Sequence, residues 1–179
     1  MTLTTTSYVV LGLVASHEPV TSYDLKRLVS HSIGYFWSFP HSQLYAEPAR
    51  LAAARLLDEE TETSGRRRRR YRVTPAGREA LNRWLGETSP EPAEIRDLGM
   101  LKLFFGSQGR REDLLALASE QHAAHQRRYE EYGALHDSVR HVAGRWELAT
   151  LEIGTRYEQM ATEFWADVLE RARHNLAVS

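Results

Sequence analysis

Five consecutive arginines, Arg66–Arg70, constrain the fold of this chain more than any other feature. Residues 57–63 before the run are typical of a strand, Ser64 and Gly65 of a turn, and residues 71–73 of a returning strand. The sequence therefore predicts a two-stranded hairpin whose tip carries the arginines. Because side chains alternate between the two faces of a strand, the five guanidinium groups cannot all serve one surface.

Short helices are predicted on both sides of this hairpin. The second begins where Thr21 precedes Asp24 by three residues, the spacing of a capping box. The fourth begins at Thr74-Pro75, with threonine as N-cap and proline at the first helical position. The predicted helices are a buried first helix that Ser7 caps and that ends near Ser16, a second over residues 22–31, a third from about Pro40 to Leu56, and a fourth that ends near Gly86. Three helices, a hairpin and a further helix indicate a winged helix-turn-helix.

The rest of the chain is predicted to be helical, so the fold class is mainly α with a two-stranded wing. Residues 1–86 form the predicted winged helix-turn-helix domain, residues 87–94 a proline-containing linker, and residues 95–179 a helical dimerisation region. Helices are expected over about 95–105, 110–141 and 145–176. The last helix repeats apolar residues every three or four positions, too many for a lone exposed helix, and a closed dimer is the usual way to bury them. The predicted dimerisation residues are Trp146, Ile153, Tyr157, Phe164 and Val168.

The net charge of −1 conceals an asymmetry between the two halves of the 179-residue chain. Residues 1–86 hold twelve basic and eight acidic residues, whereas the remainder holds eleven basic and sixteen acidic. A basic front half and an acidic back half indicate that only the front approaches a polyanion. Arginine supplies 21 of the 23 basic residues, which fits bidentate contacts or equally a GC-rich genome.

Double-stranded DNA is the polyanion that this arrangement favours. A third helix fits the major groove with its N-terminal residues at base edges, and a neighbouring hairpin lays cations along the phosphates. The candidate DNA-binding residues are His41, Ser42, Gln43, Tyr45, Arg66, Arg67, Arg68, Arg69, Arg70 and Arg72. We expect two or three wing arginines per subunit to touch phosphate. The alternatives are that Ser42 only caps the helix, that Tyr45 only packs, and that the arginine run is a solvated loop.

Several segments together resemble the PadR family of transcriptional regulators. They are Tyr8-Val-Val-Leu-Gly-Leu, Ser22-Tyr-Asp-Leu-Lys26, Phe36-Trp37, Ser42-Gln-Leu-Tyr45 and Tyr71-Arg-Val-Thr-Pro-Ala-Gly77 over residues 7–86, then Leu98-Gly-Met-Leu-Lys-Leu-Phe-Phe-Gly106. The last segment and the two long helices resemble the subfamily with a virulence-activator C-terminal region. The resemblance implies a homodimer, usually a repressor, often released from its operator by a small molecule, a phenolic acid in the founding members.

Two positions depart from that family pattern. Pro48 stands where an aliphatic residue is usual in the recognition helix, and it should kink or restart the helix because it removes a backbone hydrogen bond. Arg55 stands where a glycine usually ends that helix. These departures leave open a helical interaction scaffold whose basic loop no longer binds a specific operator.

Two other groups of residues permit ligand sites. Aromatic residues could line a pocket for a flat effector, or they could be ordinary core and dimer packing: Phe36, Trp37, Phe39, Trp146 and Trp165. On a helix, His122 and His125 with Glu120 have a spacing that can hold a metal. No third ligand is evident beside them, so we expect no metal and no cofactor.

An enzyme is the competing class of protein. The sequence has no G-x-S-x-G elbow, no P-loop and no Rossmann glycine fingerprint. It has no cysteine either, which excludes disulfides and thiol nucleophiles and fits a cytoplasmic protein. The apolar run near the N-terminus is too short to span a bilayer, so no membrane association is expected.

Overall fold

The chain forms two compact units, Met1–Pro92 and Ala93–Ser179, in a computed structural model. This structure describes residues 2–37, 41–62, 67–90 and 92–174, except for the side chain of His41. The elements of the first unit are α1 (Thr5–His17), α2 (Ser22–Ser30), α3 (His41–Ala53), β1 (Leu57–Thr61), β2 (Arg69–Val73) and α4 (Pro75–Leu85). Those of the second unit are α5 (Leu98–Phe104), α6 (Arg111–Val139) and α7 (Arg145–His174). The predicted fold class, mainly α with a two-stranded wing, is confirmed.

Side-chain caps fix where the helices of the first unit begin. At α2 the predicted capping box is present: the Thr21 backbone donates to the Asp24 carboxylate, and the Asp24 backbone donates to the Thr21 hydroxyl. Thr74 caps α4 as predicted. The prediction that Ser7 caps α1 is wrong: Thr4 is the N-cap, and Ser7 is the third helical residue of a second capping box. Two hydroxyl residues three apart satisfy each other's backbone donors, so the helix begins one turn earlier.

The core of the first unit lies around α1. This helix is nearly all apolar, and its central residues are fully buried between α2, α3 and α4. Tyr8 stacks on Trp84 of α4, with ring centroids 4.9 Å apart. At the start of α4, a Cβ on Gly77 would lie 2.0 Å from the Leu56 carbonyl oxygen, so only glycine permits this approach. The buried hydrophobic residues are Val10, Leu11, Val14, Val20, Leu25, Val29, Leu44, Leu51, Leu57, Tyr71 and Leu81.

Helix α3 passes through Pro48 and ends earlier than predicted. The helix does not restart at Pro48, whose side chain is fully buried in the core. It stops at Ala53 rather than Leu56 because Arg55 adopts a left-handed backbone conformation, with φ of 60°. Thus an arginine occupies the left-handed position for which glycine is favoured.

The wing is an antiparallel pair that a third segment extends. Strand β1 pairs with β2 from Leu57 opposite Val73 to Thr61 opposite Arg69. On the other edge of β2, Val20 and Tyr71 exchange backbone hydrogen bonds of 3.2 and 2.8 Å. The predicted turn at residues 64–65 lies outside the described residues.

The sequence predicted all five arginines at the hairpin tip, but the run extends into strand β2. Arg69 and Arg70 belong to strand β2. The strand begins two residues earlier than predicted because acidic residues in β1 and directly after it stand opposite or beside these arginines, and opposite charges across a pair of strands favour pairing. Arg66 lies outside the described residues.

The second unit is built on the long pair α6 and α7. Arg111, at the start of α6, donates to the carbonyl of Ala172 at the end of α7 at 2.7 Å, so the two helices run antiparallel. Halfway along, His125 Nδ1 lies 2.6 Å from the carboxylate of Glu158, and both side chains are largely buried. Gly154 leaves room for the ring of Tyr132. Among the described helices, none has the length and apolar character needed to cross a membrane.

Candidate nucleic-acid interface

The N-terminal half of α3 presents an exposed edge. Ser42, Gln43 and Tyr45 are all exposed, whereas Leu44 turns into the core. His41 was also predicted to bind DNA, but its side chain lies outside what the structure describes. Ala46 continues the exposed edge, which the sequence did not indicate because a small apolar residue is compatible with either face of a helix. This edge therefore combines three polar groups with a small residue that permits close approach.

A groove beside α3 is lined by predicted DNA-binding residues from both the helix and the wing. It has a volume of about 550 Å³ and lies between the start of α2, the middle of α3 and the start of β2. Its walls include Tyr45 from α3 together with Arg68 and Arg69 from the wing. Ser22 and Tyr23 at the start of α2 also line it, and the sequence reasoning missed both. A helix start and two arginines on one groove favour an anionic group such as phosphate.

Charge on the wing is partly neutralised within the hairpin. Arg69 lies 3.4 Å from Glu59, and Arg70 lies 2.7 Å from Glu62. Among the described residues, Arg67, Arg68 and Arg72 enter no salt bridge within 4.0 Å. The five predicted wing arginines that the structure describes therefore divide into two that have carboxylate partners and three that have none within 4.0 Å.

Arg68 also acts on α2. The pKa of Asp24 lies below its ordinary value, chiefly because the Thr21 backbone donates to the carboxylate, with smaller contributions from the cations Arg27 and Arg68. Asp24 thus stays ionised and keeps the capping box closed at the start of α2. The wing and this helix start are electrostatically linked across the groove.

A buried polar cluster joins α3 to α1. The guanidinium of Arg50 donates to the two carboxylate oxygens of Glu47 at 2.8 and 2.5 Å, and to Ser7 Oγ at 2.8 Å. Glu47 is only 8% exposed and Ser7 is fully buried. Burial raises the pKa of Glu47, but hydrogen bonds from Arg50 and Ser7 outweigh it, so the pKa lies below its ordinary value. The cluster is a charged pair with its hydrogen bonds satisfied.

Helix α7 has two apolar faces rather than one. Trp165 is 2% exposed and lies with Ala161 on the buried face. Four of the five predicted dimerisation residues lie together on the exposed face, namely Trp146, Ile153, Tyr157 and Phe164, while Val168 is half-buried. On α5, Phe104 is 80% exposed and Leu98 is also exposed, as is Phe105 directly after the helix; the sequence did not indicate this apolar surface.

The aromatic residues proposed for a ligand pocket do not share one environment. Phe36 and Trp37 are exposed in the first unit, and Phe39 lies outside the described residues. Trp165 is buried within the second unit. His125, one of the two histidines considered for a metal, lies 2.6 Å from the carboxylate of Glu158, and no cluster of three metal-ligating side chains occurs in the described part of the chain.

Comparison with known proteins decides the family. Residues 10–83 match the profile of the transcriptional regulator PadR-like family, and residues 95–173 match that of the virulence activator alpha C-terminal region. The chain belongs to the PadR-like family of transcriptional regulators. The members of this family are transcriptional regulators and not enzymes, which is the class of protein that the sequence predicted.

Individual PadR relatives agree with this assignment. The negative transcriptional regulator PadR of Bacillus subtilis is 31% identical over 116 residues, which span 64% of this chain and 63% of the relative. The match thus covers less than two thirds of that protein. The crystal structure of B. subtilis PadR with operator DNA has a TM-score of 0.84 at 21% identity, covering 96% of this chain and 99% of the other. Its structure with p-coumaric acid has a TM-score of 0.76 at 22% identity, covering 93% and 98%.

Proposed function

We propose that this PadR-like protein is a homodimeric, sequence-specific repressor that reads its operator with α3 and grips the backbone with the wing. The observation that carries the proposal is the shared groove: Tyr45 of the exposed α3 edge and Arg68 and Arg69 of the wing line one cleft. A duplex whose major groove receives the start of α3 would bring a phosphate to this cleft. Ser42 and Gln43 would then face base edges, while Arg67 and Arg72 would add phosphate contacts.

The exposed apolar face of α7 supports the homodimer. Trp146, Ile153, Tyr157 and Phe164 recur at helical spacing on one face, and Ala161 and Trp165 of the adjacent face are already buried. A second copy of the same surface can cover such a face with two-fold symmetry. A two-fold protein also matches an operator made of two inverted half-sites.

Repression and release by an effector rest on the relatives. B. subtilis PadR is described as a negative regulator, and it has been solved both with operator DNA and with p-coumaric acid. By analogy we assign this chain an operator and a small aromatic acid as effector. The effector would lower the affinity for operator because it binds the DNA-free conformation more tightly.

The test measures binding to a duplex from the region upstream of the chain's own gene, beside a scrambled duplex of equal length. We expect preference for the upstream duplex. Gln43→Ala and Tyr45→Ala should each weaken that binding by roughly 1–3 kcal/mol, the value of a lost base contact, without changing the dimer. Gln108→Ala, an exposed glutamine in the second unit, is the matched control and should bind like the parent.

Two outcomes would contradict the proposal. Equal affinity for both duplexes would favour a scaffold that has lost specific binding. Normal operator binding by both α3 variants would show that α3 is not the reading helix.

A further inference from the structure

The first turn of α1 contacts one face of α3 at successive positions. Thr6 Oγ1 lies 3.0 Å from Gln43 Oε1, and Ser7 Oγ lies 2.8 Å from Arg50 Nη2. Gln43, Glu47 and Arg50 are separated by four and three residues, so they lie on the same side of α3. The exposed glutamine that is proposed to read DNA is therefore held from a different helix.

The buried cluster makes this contact geometrically defined. Ser7 Oγ accepts from the backbone of Thr4 and from Arg50, each at 2.8 Å, and it lies 3.1 Å from the Thr4 hydroxyl. A buried group with all its hydrogen bonds made resists displacement, because moving it would leave unpaired donors or a bare carboxylate. Thr6, the residue next to Ser7, is thereby fixed relative to α3.

The Gln43 amide contacts Thr6 through its oxygen. A glutamine amide has one acceptor oxygen and one NH₂ group with two donors, and a half-turn exchanges their positions. The Thr6 hydroxyl donates to Oε1, so the oxygen faces α1 and the NH₂ group faces away from it. Among the described residues, Gln43 Nε2 has no hydrogen-bond partner and remains able to donate to a ligand.

We propose that Thr6 is a specificity-determining residue that acts through Gln43, an inference that rests on the proposed function. A free glutamine pairs well with adenine, because its oxygen accepts from N6 while its nitrogen donates to N7. In this protein Thr6 occupies one of the two lone pairs of the oxygen and turns the oxygen toward α1, so the group left facing outward is the NH₂, which only donates. Guanine presents two acceptors, O6 and N7, and no donor at that edge, so the held amide favours guanine over adenine.

The experiment uses the full-length protein and a panel of operators with single base-pair replacements. Gln43→Ala first identifies the position at which base preference is lost. At that position Thr6→Val, which removes the hydroxyl at nearly constant shape, should lower the guanine-over-adenine preference by about three- to tenfold, the effect of one net hydrogen bond. Thr6→Ser keeps the hydroxyl and should retain the parent's preference. Thr5→Val, at an exposed neighbour on α1, is the matched control and should also behave like the parent.

Affinity for a scrambled duplex and the midpoint of urea unfolding are measured for every variant. We expect both to stay at parental values in Thr6→Val. If Gln43→Ala abolishes a base preference that Thr6→Val leaves intact, the inference is overturned while the proposed function stands. If Thr6→Val weakens operator and scrambled duplex equally, its role is structural and the inference is also overturned. If Gln43→Ala changes no preference at any position, Gln43 does not read DNA. The inference about Thr6 is then overturned, and Gln43 is not one of the reading residues of the proposed function.

Discussion

The division of the wing arginines into paired and unpaired sets makes a quantitative prediction about salt dependence. Each arginine that neutralises a phosphate releases counterions, and the log of the binding constant then changes by about −0.9 per contact with the log of salt concentration. Arg67 and Arg68 have no salt-bridge partner in the described structure, so both charges are available to phosphate. Replacing both with alanine in a dimer removes up to four contacts and should flatten the slope by about 3.6 units.

Arg69→Ala/Arg70→Ala is the matched double variant, because it removes the same charge from the same hairpin. These two arginines already neutralise Glu59 and Glu62, so we expect them to make fewer phosphate contacts. The slope should therefore flatten by less than half as much. The absolute affinity should still fall, since two carboxylates near the DNA lose their partners.

Fluorescence anisotropy of a labelled operator from about 50 to 200 mM salt measures the slopes, since phosphate contacts dominate binding across that range. A scrambled duplex should show the same ordering of slopes, because phosphate contacts carry no direct sequence information. Equal flattening by the two double variants would refute the idea that internal ion pairs decide which arginines engage DNA. An unchanged slope in both would mean that the described part of the wing does not touch phosphate.

The other predictions concern the dimer and the buried cluster. Phe164→Asp places a charge on the exposed face of α7 and should give a monomer by sedimentation, with loss of operator binding; a stable dimer would place the interface elsewhere. Arg50→Met strands the carboxylate of Glu47 and should lower the free energy of unfolding in urea by about 2 kcal/mol, less than for a fully buried pair because Arg50 is 38% exposed. Glu47 has a pKa below its ordinary 4.5, so its contribution is complete above pH 4.5 and is lost as pH falls through the lowered pKa. The unfolding midpoint of Glu47→Gln should therefore fall less than that of the parent in this acid range, and identical pH profiles would show that Glu47 contributes nothing.

Local chemistry was readable from the sequence wherever a short segment determines its own conformation. The Thr21–Asp24 box, the Thr74 cap and the order of three helices, a hairpin and a further helix all depend on neighbours within a few residues. Spacing of apolar residues also marked α7 as a helix with a continuous apolar seam. These features, together with the family motifs, were sufficient to predict the fold class and the PadR-like family.

Tertiary structure alone decided what each side chain contacts. Ser7 has the spacing of a cap, but Arg50, which donates to its hydroxyl, comes from a helix 43 residues further along the chain. The arginine run appeared as one feature, yet strand register separates Arg69 and Arg70 from their neighbours by giving them carboxylate partners. Periodicity fixes which residues share a face, but it carries no information about which face another element covers. That depends on contacts between distant segments, which form only when the chain folds.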